Sequence, residues 1–218
     1  MEAMFSFLKD LKNNNNRTWF QGQGVAFDKA KDQANNLFKA FYASLALQEE
    51  LEPLKIYRIY RDVRFSNDKT PYKSYFSAQT GRKKPYLRGG YYLHLEPGQS
   101  FVGAGFWGPV PADLLRIRKD IEASDELVSI VADPQLQQAF GTLQGEQLKT
   151  APKGFDKQHE RVELLRYKQF IFKKSYSDEE VLSADFSAIV TADLRLLEPF
   201  LAYMTNVLIV DGNGNPLY

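Results

Sequence analysis

Between Leu54 and Arg88 the chain carries ten cations, Lys55, Arg58, Arg61, Arg64, Lys69, Lys73, Arg82, Lys83, Lys84 and Arg88, against only Asp62 and Asp68. The segment sums to +8, and because the 218-residue chain totals +1, the remaining residues sum to −7. Seven aromatic residues are interleaved with these cations: Tyr57, Tyr60, Phe65, Tyr72, Tyr75, Phe76 and Tyr86. Guanidinium and ammonium groups beside ring faces can hold phosphate or carboxylate oxygens and stack on flat ligands. The expectation is a small anionic ligand held by Arg58, Arg61, Arg64, Lys69 and Lys73, with Tyr72 beside it. Asp62 or Asp68 is then the candidate catalytic group, acting as a base or holding Mg²⁺. A structural alternative runs alongside. Continued strand alternation puts Arg61 on the apolar side with Tyr57, Ile59 and Val63, where a guanidinium needs an acid partner. Asp68, within the turn-forming run Ser66-Asn67-Asp68-Lys69-Thr70-Pro71, would cap that turn. Arg82 to Lys84 read as a solvated hairpin tip.

Weaker chemical signals lie elsewhere. His94 and Glu96 share one strand face, with Tyr92 two residues before them, but the chain's only other histidine is His159 and no metal-ligand spacing occurs. No metal site is expected, and no cofactor is identified. The Gly103-Ala104-Gly105-Phe106-Trp107-Gly108 run matches a dinucleotide-binding fingerprint in letters only, because Phe106 and Trp107 continue strand character and Pro109 lacks an N–H donor. Its bare glycines could let a ligand approach Tyr92 and His94. Lys153 precedes Asp156, an expected helix N-cap, and joins the candidate ligand-binding cations because that end of a helix favours an anion. The nucleophile motif Gly-x-Ser-x-Gly is absent.

The elements that must position these groups follow from periodicity. Met4, Phe7, Leu8 and Leu11 mark a first helix, and Thr18 is the expected N-cap of a turn carrying Trp19 and Phe20. Phe27, Ala30, Ala34, Phe38, Phe41 and Leu45 mark a long second helix. Ile56 to Phe65 and Ser74 to Thr80 read as strands, and Gly89 to Trp107 as a hairpin folded at Glu96-Pro97-Gly98-Gln99. That register sets Tyr92 opposite Gly103, Leu93 opposite Val102 and His94 opposite Phe101. Helices are expected from Pro111 to about Glu122, from Asp133-Pro134 to Gly141, and from Phe155 to Leu165, followed by a strand from Tyr167 to Lys174. Ser177 with Glu180 fits a capping box, and the last helix, Ala184 to Leu208, should kink or break at Pro199. The reading is a single α+β domain over residues 1–218, a mainly antiparallel sheet covered by several helices.

Composition removes several classes. Zero Cys excludes disulfides, thiolate nucleophiles and zinc ribbons. There is no apolar run of roughly 18 residues, so no membrane span is expected, and Met1 to Lys12 carries Glu2, Lys9 and Asp10 in a short apolar pattern. A cytoplasmic protein is expected, with its oligomeric state left open.

The run Arg61-Asp62-Val63-Arg64-Phe65-Ser66-Asn67-Asp68-Lys69-Thr70-Pro71-Tyr72-Lys73 resembles the hallmark of a bacterial family of conserved hypothetical proteins, the domain of unknown function 2461 family. Four further blocks carry the same resemblance: Asn15 to Phe20, Gly90 to Gly98, Pro152 to Asp156, and Ser177 to Leu182. It implies a cytoplasmic, single-domain protein and no assigned activity. Arg82-Lys83-Lys84-Pro85 departs from the family's Gly-rich or apolar stretch, which makes part of the local charge particular to this chain. Two functions compete: an enzyme or binder of a small anionic ligand, and a noncatalytic module for nucleic acid or protein. With a sequence pI near 7.8, nucleic-acid binding is expected to be weak and salt-dependent.

Overall fold

The apolar spacing of the first residues forms helix α1 (Glu2–Asn13), which buries Met4, Phe5, Phe7, Leu8 and Leu11 in a computed structural model describing residues 2–64, 67–211 and 214–218. Helix α2 (Arg17–Gln21) is capped by Asn16 rather than Thr18: the Trp19 N–H donates to Asn16 Oδ1 at 2.9 Å. Asn16 is extended and one residue before the helix, the geometry a cap requires. Helix α3 (Gly24–Ala46) buries Ala30, Ala34, Leu37, Phe38, Phe41 and Leu45.

The expected strand from Ile56 shortens to β1 (Lys55–Ile56). Beyond it the chain runs beside residues 71–77 through scattered bonds, Tyr57 N–H to Ser77 O, Lys73 N–H to Ile59 O and Arg61 N–H to Pro71 O. Pro71 has no N–H to return, so a continuous ladder cannot form there. Phe65 and Ser66 lie outside the described residues.

Strands β2 (Phe76–Gly81), β3 (Gly90–Leu95) and β4 (Ser100–Phe106) follow as an antiparallel meander. The β3–β4 turn has Gly98 at φ +72°, and the register pairs Tyr92 with Gly103, Leu93 with Val102 and His94 with Phe101, as the turn chemistry dictated. After α4 (Pro111–Ala123) comes α5 (Glu126–Val131), which periodicity did not mark, and then α6 (Pro134–Phe140), capped by Asp133. The helix expected from Phe155 reduces to the single turn α7 (Val162–Leu165). Asp156 to Glu160 is too polar to offer a helix a buried face, and Asp156 instead closes a turn by accepting the Gln158 N–H.

Strand β5 (Phe170–Tyr176) pairs with β4 and completes the five-stranded order β1-β2-β3-β4-β5, antiparallel throughout. It begins later than expected because Tyr167 bridges to Gln147. A complete capping box, Ser177 with Glu180, opens α8 (Asp178–Leu182). The last helical stretch breaks into α9 (Phe186–Arg195) and α10 (Glu198–Ile209), with Pro199 in the first turn of α10, where its missing N–H costs no hydrogen bond.

Side chains directly opposite across an antiparallel pair share a face. Ala78, Leu93, Val102, Ala104 and Phe172 point into the core under the helices, where Phe200 of α10 packs 5.1 Å from Phe172. The opposite face carries Gln79, Tyr92, Gly103 and Lys173 in one row and Ser77, His94, Phe101 and Ser175 in the next. Gln79 and Ser175 are exposed and Tyr92, Phe101 and Lys173 partly so, and solvent therefore reaches this face around the buried Ser77, His94 and Gly103.

Candidate functional site on the open sheet face

Alternation along β3 and β4 places Tyr92, His94 and Phe101 on one face, and the segments after β1, before β2 and after β4 add Tyr57, Tyr75 and Trp107. The His94 ring lies 4.7 Å from Phe101 and nearly parallel to it, and 4.2 Å from Tyr75. Tyr92 stands 5.7 Å from Phe101, 6.4 Å from Tyr57 and 6.4 Å from Trp107. At Gly103 a Cβ would come within 3.1 Å of the Trp107 ring, so the bare position admits the indole against the strand.

Cations border these rings. Lys73 Nζ lies 5.4 Å from the Tyr57 ring and 5.8 Å from Tyr75, Lys55 Nζ 5.1 Å from Tyr57, and Lys173 Nζ 3.8 Å from Phe101. Ammonium groups are attracted to the electron-rich ring faces at these distances. Burial holds the Lys73 ammonium below its ordinary pKa, and the charges of Arg58 and Arg61 lower it further. Among the described residues, Lys73 and the exposed Arg58 form no ion pair. Arg61 Nη1 sits 2.6 Å from Asp68 Oδ2, so it has the carboxylate partner its parity demanded, yet its Nε is buried with no hydrogen-bond partner. Arg58, Arg61 and Lys73 are thus neighbours of like charge with unused donors.

Several described side chains of the hallmark bond within its own loop. Asp62 accepts from Arg64 Nη2 at 2.7 Å and Nε at 3.0 Å, and those bonds hold its carboxyl below the usual range. Asp68 accepts the Thr70 N–H at 2.9 Å and the Thr70 hydroxyl at 2.7 Å, which lower it in the same sense. This is the turn-capping geometry of the structural alternative. Lys69 Nζ donates to Val63 O at 3.0 Å.

Two candidates lie away from the open face. Tyr72 is buried, stacked on Phe20 at 3.9 Å, with its backbone clamped by the Asn15 side chain. Lys153 is exposed in a turn, and the helix that was to begin beside it at Asp156 is absent.

The solvated tip holds for Lys83 and Lys84, which are exposed, and is overturned for Arg82. Arg82 is buried, with Nε 2.5 Å from Glu49 Oε2 and Nη1 donating to Leu201 O, Arg88 O and Thr205 Oγ1. Arg88 pairs with Asp113 and donates to Leu208 O. Both guanidiniums tie the sheet to helices that lie more than a hundred residues on in the case of α10, so their charge serves packing.

The family model described as Conserved hypothetical protein (DUF2461) matches residues 3–203. The chain belongs to the DUF2461 family. No curated protein and no solved structure matches it. In this DUF2461 chain the hallmark places Lys73 against Tyr57 and Tyr75 of the aromatic sheet face, with Arg58 and Arg61 near enough for their charges to act on it. At the other end, past Trp107, a cavity of 610 Å³ opens between Gln79, Gly81, Lys84, Arg88 and Asp113, and Lys73 does not line it. Among the described residues no group of three His, Asp or Glu side chains could hold a metal ion, and no helix is long and apolar enough to cross a membrane. Lys173 and Trp107 escaped sequence reasoning. Only the β4–β5 register and the fold of the chain after β4 bring them to this face.

Proposed function

We propose that this DUF2461 protein binds a small molecule bearing a phosphate or carboxylate and a flat ring, at the Lys73 end of the open sheet face. One observation carries the reading: Lys73, Arg58 and Arg61 are neighbours, Lys73 has no acid partner among the described residues, and a buried Arg61 Nε–H is unsatisfied. A buried donor without an acceptor is costly, and an anion there relieves both that cost and the repulsion among the three cations. Tyr57 and Tyr75, already against Lys73, supply ring faces for the rest of the ligand.

Thermal melts in sulfate, phosphate and a nucleoside monophosphate test the reading. A ligand that binds the native state at 100 times its Kd adds about 2.7 kcal/mol. The gain should fall sharply in Lys73→Ala and Arg58→Ala but persist in Arg64→Ala, because Arg64 is committed to Asp62. Equal shifts in wild type and Lys73→Ala would remove the site. Ion pairing of Arg82 with Glu49 and of Arg88 with Asp113 withdraws two of the cations that a nucleic-acid surface would have used, so the small ligand ranks first. A cytoplasmic location, expected from the sequence, belongs to the same proposal and is checked by cell fractionation.

A further inference from the structure

Tyr92, His94 and Glu96 follow one another at every second residue along β3 and its end, and they form a hydrogen-bonded line. His94 Nε2 lies 3.0 Å from Glu96 Oε2, and the Tyr92 hydroxyl lies 3.3 Å from His94 Nδ1. Ser74 Oγ donates to Glu96 Oε1 at 3.0 Å, and Lys12 Nζ of α1 stands 3.9 Å from that oxygen, which fixes the carboxylate. With Glu96 accepting the Nε2–H, the neutral ring keeps its lone pair on Nδ1, the nitrogen that faces Tyr92. Hydroxyl, oriented imidazole and carboxylate in this order are the parts of an activated oxygen. His94 is buried and both of its nitrogens are engaged, so the end of the line that reaches solvent is the half-buried Tyr92. The Tyr57 ring links the two sites, 6.4 Å from Tyr92 and 5.4 Å from Lys73 Nζ.

We propose that Tyr92 is a catalytic residue that removes a proton from a hydroxyl of the anionic ligand, with His94 and Glu96 as positioning residues. This rests on the binding reading for the identity of the substrate, not for the reactivity of Tyr92. The ligand's O–H bond breaks as a new O–H bond forms on Tyr92. The phenolic proton of Tyr92 bonds to His94 Nδ1, and Glu96 faces the resulting imidazolium. No electrons are exchanged and no co-reactant is consumed.

The charged and titratable groups around His94 set its pH range. Burial lowers its pKa below 6.5 and Lys173 of β5 acts in the same sense, while the Glu96 hydrogen bond opposes them. Tyr75 packs on the ring from the segment before β2, Lys73 lies over Tyr75, and Lys12 reaches Glu96 from α1. The imidazole is therefore neutral and ready to accept a proton at pH 7, whereas burial keeps an unassisted Tyr92 phenol protonated above its ordinary range.

Reaction of the whole protein with an aryl sulfonyl fluoride tests the line without any substrate. The tyrosine oxygen bonds to sulfur, fluoride leaves, and the phenolic proton passes to His94. Peptide mass spectrometry follows each tyrosine, with the exposed Tyr60 and Tyr86 as internal references. Tyr92 should react at least about a hundredfold faster than these, the low end of what a positioned base contributes. Its rate should level off above pH 6.5, where His94 is neutral, instead of climbing with phenol ionisation. His94→Gln should give Tyr92 the references' pH slope, Glu96→Gln should slow it less, and Glu96→Asp should recover part of the loss. Wild-type Tyr92 reacting no faster than Tyr60 and Tyr86, or a folded His94→Gln with an unchanged rate and profile, overturns the proposal. The wild-type profile decides even if the variants fail to fold. Inorganic phosphate should protect Tyr92 in wild type and not in Lys73→Ala. Fast labelling without protection upholds the relay and removes the binding site.

Discussion

Replacing Arg82 by alanine is expected to cost about 3–5 kcal/mol of folding stability, the range for breaking a buried ion pair. The Arg82 side chain is 9% exposed and that of Glu49 16%, with Nε and Oε2 2.5 Å apart. Removing the guanidinium leaves the Glu49 carboxylate with the Tyr91 hydroxyl as its remaining side-chain donor, while Leu201 O, Arg88 O and Thr205 Oγ1 lose a donor. Burial and the Glu49 charge push the Tyr91 phenol far above its ordinary value, so Tyr91 stays neutral and offers Glu49 a hydrogen bond but no opposite charge. A 280 Å³ cavity beside Glu49 and Arg82 offers room for water, which sets the expected loss toward the lower part of the range. Urea unfolding of wild type, Arg82→Ala and Lys83→Ala measures it. Lys83 is exposed and its loss should fall within about 0.5 kcal/mol of wild type. A double-mutant cycle with Glu49→Gln should recover part of the Arg82→Ala loss, because no charge then remains unpaired. An Arg82→Ala loss under about 1 kcal/mol would refute the packing role and return Arg82 to the solvated surface.

Two further outcomes are expected. His94 has a folded pKa below 6.5, so between that value and 6.5 the unfolded chain binds more protons than the native one and stability must fall as pH is lowered. Urea midpoints at stepped pH should show this slope, and His94→Gln should flatten it. Ser177→Ala removes one half of the capping box that opens α8 and should cost about 1 kcal/mol by the same assay, with Glu180→Ala close behind.

Much of the frame is local physics and could be read from residue order. Pro97-Gly98 sets the hairpin turn, and alternation then fixes Tyr92, Leu93 and His94 opposite Gly103, Val102 and Phe101 without any distant contact. Asp133 and Ser177 with Glu180 open helices through hydrogen bonds to backbone N–H groups within three residues, and Pro199 suits only a first helical turn, so each boundary was legible. Asp68 as a turn cap and Arg61 beside an acid belong to the same class, since Thr70 and Asp68 are near in sequence.

What depended on the tertiary fold was the use of each charge. Ten cations read alike along Leu54 to Arg88, but Arg82 meets Glu49 from the turn after α3 and Thr205 from α10, while Lys73 meets only rings and other cations among the described residues. Sequence spacing carries no information about which carboxylate arrives from 33 residues before or which hydroxyl from 123 residues after. The same holds for Lys173 and Trp107, whose places on the open face depend on the β4–β5 pairing and on Gly103 admitting an indole. Chain order determined the elements and the hairpin register because those interactions are short-range; burial and partner choice, which separate a packing arginine from a ligand-facing lysine, arise only when distant segments meet.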